Sequence, residues 1–283
     1  MPWTTTTDVT EFDAAARDFL RSRPVHHTVQ LTVCARLRQQ GPGAFGDGAP
    51  EFGWWTGAHG AVTGALVRTP PHHLLLTELP TRALAPLVDL YAAADPALPG
   101  VAGPVATAEA FGAAWQRATR ARPTVARGER LYRLGELAPP PPARGQGGRV
   151  AGPDDRALLV EWWTRFAQVI GEPQPYRADR AVDDRLGYGG VSLWEDGGRP
   201  VSLAGATRQV AGTVRIGPVF TPEPSRGRGY ASQVTSLVRR RALDAGAREV
   251  LLFTDLANST SNALYQRLGF RPVGDFRTMR LAP

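Results

Sequence analysis

A glycine-rich loop lies between an apolar strand-like run and an amphipathic helix-like run near the end of the chain. Glycines lack the Cβ atom that keeps a ligand away from the backbone, and they adopt φ/ψ values that other residues avoid. The N–H groups of such a loop converge on an anion, and the following helix adds its own unpaired N–H groups and positive dipole end. The sequence therefore predicts a phosphate site, most simply for a pyrophosphate. The loop consists of Arg226, Gly227, Arg228, Gly229, Tyr230 and Ala231.

The 283 residues, of which 42% are apolar, are enough for one large domain or two ordinary ones with real cores. No run of roughly 18 apolar residues occurs, so we expect no membrane-spanning helix and no membrane partner. The first residues lack a basic segment followed by an apolar one, so we expect no secretory signal and a cytoplasmic protein. The single cysteine, Cys34, lies in an apolar run and is predicted to be a core residue without a disulfide.

The net charge of +7 does not indicate nucleic-acid binding. All 33 basic residues are arginine, and they are scattered among 26 acidic residues. Because arginine has a high pKa, this composition raises the isoelectric point without implying an anionic partner. We therefore expect no nucleic-acid partner. The densest basic run, Arg239-Arg240-Arg241, is predicted to be a solvated helix face.

Residues 138–149, which contain four consecutive prolines and several glycines, are typical of a linker. The linker separates predicted domains at 1–137 and 150–283. Two sequence similarities suggest that these halves are related. In the first, a Trp is followed seven residues later by Val across a hairpin-like turn, at Trp55 and at Trp194. In the second, 100–104 and 215–218 both end in Gly-Pro before a helix-like run, but only the second half has the glycine-rich loop.

In the second half, predicted strands alternate with predicted helices. Residues 250–253 form a continuous apolar run typical of a strand buried on both faces, and 231–245 have apolar residues at helix period. This alternation predicts an α/β fold, an α+β mixed sheet covered by helices on both faces.

Two motifs then narrow the kind of anion site. A Gly-Lys-Ser/Thr sequence is absent, and Gly-x-Gly-x-x-Gly is not completed, which excludes a P-loop and a dinucleotide fingerprint. The loop instead fits Arg226-x-x-Gly229-x-Ala231, and residues 258–270 read Asn-x-x-Ser-x-x-Leu-Tyr-x-x-x-Gly-Phe. Both resemble the GNAT superfamily of N-acetyltransferases, with Ser261 where Ala is usual. The resemblance covers roughly residues 156–281 and implies two tandem GNAT-like domains, the first a degenerate copy.

The resemblance implies acetyl-CoA as co-substrate and assigns residues to it. The strand end would hold the pantetheine arm, the loop would hold the pyrophosphate, and the later block would complete the site. Tyr265 would also act as general acid for the departing thiolate. Asn258 would touch the pantetheine or cap its helix. Gly217-Pro218 predicts a bulge where strand pairing opens. Besides the loop, the implied cofactor-binding residues are Val219, Phe220, Thr221, Asn258, Ser261, Asn262 and Tyr265.

The general base stays open. The strand at 213–220 that often supplies a Glu in this family has no acidic residue, which leaves Asp255 and Glu223 as candidates. Trp162 and Trp163 are either core residues or walls of an acceptor pocket. An alternative for the Arg239–Arg241 run is contact with the 3′-phosphate of CoA instead of solvent. The histidine pairs His26-His27 and His72-His73 lack partners at ligand spacing, so no metal is expected.

These observations predict transfer of an acetyl group from acetyl-CoA to an amine of a small molecule, by direct attack in a ternary complex. Two alternatives remain open. The enzyme would transfer another acyl group or use a hydroxyl acceptor, or the protein would be a non-catalytic acyl-CoA sensor. A monomer or a homodimer is expected.

Overall fold

The structure, a computed structural model, describes residues 3–140, 147–171 and 177–281. The strands are β1 (Trp3–Thr6), β2 (Glu51–Thr56), β3 (Val62–Arg68), β4 (Leu74–Leu76), β5 (Gly100–Pro104), β6 (Thr124–Leu134), β7 (Gly147–Val150), β8 (Val191–Asp196), β9 (Arg199–Ala206), β10 (Thr213–Phe220), β11 (Glu249–Asp255) and β12 (Phe270–Arg280). The helices are α1 (Val9–Ser22), α2 (Thr28–Gln40), α3 (Thr81–Ala94), α4 (Val105–Thr119), α5 (Arg156–Val169), α6 (Ala178–Leu186), α7 (Tyr230–Asp244) and α8 (Ser259–Arg267).

The same order of elements occurs twice. From β1 to β6 and again from β7 to β12, one strand is followed by two helices, three strands, a helix, a strand, a helix and a last strand. The similarity around Trp55 and Trp194 is confirmed, because β2–β3 and β8–β9 are hairpins in equivalent positions of the two halves. The Gly-Pro similarity is wrong, because the two sequences lie in strands that are not equivalent. Residues 100–104 form the fourth strand after the helix pair of their half, and 213–220 form the third.

The chain forms two compact units that are not continuous in sequence. The first contains the described residues up to Leu131, Asp255–Ala257 and the residues from Gly274 onward, and the second contains Tyr132–Thr254 and Asn258–Val273. The end of β6 therefore belongs to the second unit and most of β12 to the first. Of the predicted linker, 141–146 lie outside the described residues, and 147–149 are already part of β7.

In the first unit, the strand order is β1-β2-β3-β4-β5-β12. The second half of the chain completes this sheet, because residues 276–280 of β12 pair antiparallel with β5. Helices α3 and α4 pack on it through a core that includes Leu87, Phe111 and Trp115. Cys34 is confirmed as a core residue, and burial raises the pKa of its thiol to about 12.

In the second unit, β11-β10-β9-β8-β7 follow the end of β6 in that order. Two apolar clusters cover the two faces of this sheet. Ala204 belongs to the cluster that contains α7 and α8 residues, and its neighbour Leu203 belongs to the cluster with α5 and α6 residues. Because successive strand residues point to opposite faces, the helices cover both sides, as the sequence predicts. No helix among the described residues has both the length and the apolar character needed to span a bilayer.

Candidate functional site

Strands β10 and β11 pair along only part of their lengths. They run parallel from Thr213 opposite Glu249 to Ile216 opposite Leu252, and no register continues beyond that pair over the described residues. On the other side of β10, the register against β9 shifts between Ile216 and Val219. The opening predicted from Gly217-Pro218 is therefore confirmed. It leaves the backbone of residues 217–220 without a β11 partner, so an extended ligand arm can add there like a strand.

The side chains at the end of β10 are held by neighbouring elements. Val219 lies opposite Ala204 of β9. The Ser202 hydroxyl donates to the Phe220 carbonyl at 3.2 Å and is 2.8 Å from the Thr221 hydroxyl. These contacts fix the strand end while the edge that faces β11 stays open.

The two tryptophans of α5 are core residues. The Trp162 ring packs against Phe220 with centroids 5.9 Å apart, and only 5% of its surface is exposed. The Trp163 ring lies under the bulge, since a β-carbon on Gly205 would stand 2.9 Å from it. Of the two interpretations left open by the sequence, the structure supports the core role.

Helix α7 starts in the glycine-rich loop. Gly229, its N-cap, has φ 82° and Gly227 has φ 74°, both in the left-handed region that favours glycine. The first helical hydrogen bonds are donated by Ser232 and Gln233 to the Gly229 carbonyl. The N–H groups of Tyr230 and Ala231 therefore have no acceptor within the helix, and they face the same end as its positive dipole.

The loop is open to solvent and tied to β10. Gly227, Arg228 and Gly229 are exposed, and a β-carbon on Gly227 would meet no atom within 4 Å. Arg226 donates from Nε to the Thr221 carbonyl at 3.1 Å, which joins the loop to the strand end beside the opening. The strand opening and the loop are thus adjacent parts of one surface.

Tyr230 has a different role from its glycine neighbours. Its side chain is 1% exposed, and its hydroxyl donates to the Asp196 carboxylate at the end of β8. Only its main-chain N–H remains for a ligand. The side chain anchors the first turn of α7 to the β8–β9 hairpin.

Tyr265 lies on α8 and is 8% exposed. It packs in one cluster with Ile216 and Leu252, the last β10–β11 pair before the strands separate, and its ring meets Phe270 edge-on at 6.1 Å. Burial raises the pKa of its hydroxyl well above the usual value, so it carries its proton at neutral pH. The hydroxyl has no hydrogen-bond partner among the described residues, and it is not one of the fully buried unpaired polar atoms. It is therefore free to donate to a ligand.

The remaining residues of the α8 block serve the helix itself. Asn258 caps α8, because its Oδ1 accepts from the Ser261 N–H at 2.9 Å. The Asn262 side chain donates to the Asn258 carbonyl at 2.8 Å, and its Oδ1 accepts from the Tyr132 hydroxyl at 2.9 Å. The predicted ligand contacts of Asn258 and Asn262 thus compete with structural bonds that these side chains already make.

The two candidate bases differ in their surroundings. The Asp255 side chain accepts a hydrogen bond through Oδ1 from the Ala257 N–H at 2.8 Å, and this contact stabilises the turn at the end of β11. Glu223 is exposed in the single 3-10 turn before the loop, and its carbonyl accepts the Arg226 N–H.

The basic run of α7 is not a solvated face. Arg239 is 2% exposed, and its guanidinium donates to the carbonyls of Leu268 and Ala138, while burial lowers its pKa. Arg241 donates to the Ser192 hydroxyl at 2.9 Å, and only Arg240 is exposed. The prediction was wrong because buried arginine is rare. The sequence does contain one sign of this burial, because Arg239 lies three residues before Ala242, on the same face of α7 as this apolar residue.

Among residues 3–140, 147–171 and 177–281, no three His, Cys, Asp or Glu side chains are grouped as metal ligands would be. His27 is buried, with Nδ1 3.1 Å from the Leu20 carbonyl, and burial lowers its pKa.

The first unit lacks an equivalent loop. Its counterpart of the β10–α7 connection is residues 77–80, between β4 and α3. Pro80 is the N-cap there, with φ −62° instead of a left-handed glycine. Glu78 adds a negative charge that pairs with Arg23 at 2.5 Å. A proline and a carboxylate in place of two glycines and two arginines make this connection unsuited to a phosphate.

Comparison with known proteins agrees with this geometry. Residues 156–270 match the family model described as the acetyltransferase (GNAT) family. A comparison with curated proteins gives no match.

Solved structures resemble the chain over its full length. A GCN5-related N-acetyltransferase from Sphaerobacter thermophilus has a TM-score of 0.63 at 17% identity, with 99% of this chain and 96% of that chain covered. A GNAT-family acetyltransferase from Colwellia psychrerythraea has a TM-score of 0.58 at 11% identity, covering 100% and 99%. A tandem GNAT protein from the clavulanic acid biosynthesis pathway has a TM-score of 0.55 at 15% identity, covering 99% of both chains. The fold is that of two tandem GNAT-like domains.

Proposed function

We propose that the second unit binds acetyl-CoA and transfers its acetyl group to an amine of a small molecule. The observation that carries this proposal is the combination, within one unit, of a strand opening, an adjoining anion loop and a protonated tyrosine. The opening begins after Ile216 and Leu252, and Tyr265 belongs to the same apolar cluster as that pair. The loop is joined to β10 through Arg226 and Thr221.

Each part has a chemical task. The free backbone after the bulge would hold the pantetheine arm by strand-like hydrogen bonds. The N–H groups of Tyr230 and Ala231, together with the glycine loop, would hold the pyrophosphate. This arrangement would direct the thioester toward the region where β10 and β11 separate.

The reaction is a direct displacement. The neutral amine nitrogen attacks the thioester carbonyl, the C–N bond forms, and the C–S bond breaks. The thiolate that leaves takes the proton of the Tyr265 hydroxyl, which is available because burial keeps its pKa above the usual value. The nitrogen loses its extra proton to water or to a base, and that proton restores the tyrosine through solvent.

The proposal also requires a base. An amine with a pKa near 10 is mostly protonated at neutral pH, so a proton must leave before attack. Strand β10 has no acidic residue. Glu223 and Asp255 stay as proposed bases that would act through water.

The test is release of free thiol from acetyl-CoA in the presence of a panel of amines, with an alcohol panel and other acyl-CoAs in parallel. We expect steady thiol release that depends on one class of amine. Tight CoA binding without turnover on any acceptor would refute the transferase and favour an acyl-CoA sensor. Turnover with alcohols alone, or with another acyl donor alone, would redirect the assignment within acyl transfer.

A further inference from the structure

Residues 132–138 lie before the linker and at its first residue, yet they belong to the same unit as α7 and α8. This stretch, which we name the pre-linker segment, contains the end of β6 and the residues that follow it. It contacts α8 or the end of α8 directly at two places, and a third link runs through α7. The contacts matter because α8 carries Tyr265.

The first contact is the Tyr132 hydroxyl, on a side chain that is fully buried. It donates to Asn262 Oδ1 at 2.9 Å and accepts from Gln266 Nε2 at 3.1 Å. Asn262 and Gln266 are one helical turn apart on α8, and Tyr265 lies between them in sequence. This one hydroxyl therefore fixes the position of this turn along the axis of α8, and its rotation about that axis, relative to β6.

The second contact is at the end of α8. The Gly135 N–H donates to the Gly269 carbonyl at 3.0 Å. Gly269 has φ 91°, and a β-carbon there would stand 2.0 Å from the Glu136 carbonyl oxygen. The backbone of the pre-linker segment thus passes so close to the helix end that only glycine fits.

The third contact runs through α7. The buried Arg239 guanidinium donates to the carbonyl of Leu268, which is the C-cap of α8, and to the carbonyl of Ala138. The same side chain therefore joins the helix of the glycine loop, the helix of Tyr265 and the pre-linker segment.

We infer that Tyr132 is a positioning residue that sets the place of the Tyr265 hydroxyl through α8. This inference rests on the proposed function. The Tyr265 hydroxyl has no hydrogen-bond partner of its own among the described residues. Its place is therefore set by the position of the helix backbone and by ring packing, and Tyr132 holds that backbone on both sides of it. A residue from the first half of the chain in this way completes the site of the second.

The experiment is a cycle of Tyr132→Phe, Tyr265→Phe and the double variant, in the full-length chain. Tyr132→Phe keeps the buried ring and removes only the hydroxyl. We expect kcat to fall about fivefold, the effect of one ordinary hydrogen bond, with the Kd for acetyl-CoA unchanged. In the Tyr265→Phe background the same change should have no further effect on kcat, because coupled residues are not additive. Hydrogen exchange should rise about tenfold for the amides of α8 and stay constant for those of α7.

Tyr188→Phe is the matched control, since Tyr188 lies just after α6 and its hydroxyl donates to the carbonyl of Ala206, on β9 of the same unit, at 2.8 Å. It should leave kcat and the exchange of α8 unchanged. An equal fall in kcat in both backgrounds, or unaltered exchange in α8, overturns the inference. Absence of turnover in the wild-type protein refutes the proposed function instead, and the exchange rates then still decide whether Tyr132 holds α8.

Discussion

The Tyr230 hydroxyl donates a hydrogen bond to the Asp196 carboxylate, which lies 34 positions earlier in the chain. Tyr230 is the first residue of α7, and Asp196 is the last residue of β8. The start of the helix at the glycine loop is thereby held by the β8–β9 hairpin. The position of the loop depends on a side chain that itself offers nothing to a ligand except its backbone N–H.

Tyr230→Phe is expected to loosen the loop. The change leaves a partly buried carboxylate without its donor, which typically costs about 1–3 kcal/mol of stability. The Kd for acetyl-CoA should rise about fivefold in titration calorimetry, with a smaller effect on kcat. Asp196→Asn keeps an oxygen acceptor and should stay close to wild type. An unaltered Kd in the phenylalanine variant would show that the tie does not position the loop.

Gly227→Ala and Gly246→Ala form a matched pair. Gly246 follows the other end of α7 with φ 86°, close to the 74° of Gly227, and a β-carbon at either position meets no protein atom within 4 Å. Each alanine should therefore cost about 1–2 kcal/mol of backbone strain in denaturant unfolding. Only Gly227→Ala should weaken CoA binding, because its methyl group enters the space where the phosphates would lie. Equal CoA affinities in the two variants would contradict the placement of the pyrophosphate.

Tyr265→Phe removes the proposed proton donor without removing the ring that packs on Phe270. Loss of a general acid lowers the rate by on the order of 100-fold or more. The Kd for acetyl-CoA should stay within twofold, since the loop and the strand edge are untouched. Weaker CoA binding at unchanged kcat would instead make Tyr265 a binding residue.

The raised pKa of Tyr265 also predicts a pH dependence of stability. The ordinary pKa of a tyrosine in the unfolded chain is about 10. Because burial raises the folded value, the folded state keeps the proton more tightly. Its contribution to stability is complete below about pH 10 and is lost as pH rises from there through the folded pKa. In urea titrations from pH 8 to 11, Tyr265→Phe should lose less stability than wild type. Parallel losses in the two proteins would contradict this assignment.

Arg239→Ala and its neighbour Arg240→Ala should differ strongly. The first removes the donor for two backbone carbonyls, of Leu268 and Ala138, and empties a buried volume. The expected loss is about 3 kcal/mol in the free energy of unfolding. Arg240 is exposed, so its removal should change stability by less than about 0.5 kcal/mol. Similar values for both variants would refute the structural role of Arg239.

Local chemistry explains what the sequence predicts correctly. Proline has no N–H for a ladder, so Gly217-Pro218 predicts the bulge where β10 separates from β11. An asparagine before a helical run predicts a cap, and Asn258 is one. The α/β class follows from alternating patterns of strand and helix period.

Contacts between distant segments explain what the sequence does not reveal. Nothing near Arg239 in the sequence indicates that two carbonyls, 29 and 101 positions away, take up its charge. Tyr132 lies before a proline-rich stretch that marks a boundary, and its partners Asn262 and Gln266 follow 130 and 134 positions later. The predicted equivalence of the two Gly-Pro sequences was wrong for a related reason. A dipeptide that ends a strand does not specify which strand of the sheet it ends.

The division of β6 and β12 between the units has a consequence for the integrity of the protein. A peptide-bond cleavage between the two halves would divide the chain at a point that does not separate the units, because the first unit includes the end of β12 and the second includes the end of β6. Each half made alone would carry an uncovered sheet edge and a surplus strand, the combination that promotes aggregation. Deletion of residues 1–137 would therefore also remove part of the second unit, since Tyr132–Leu134 belong to it.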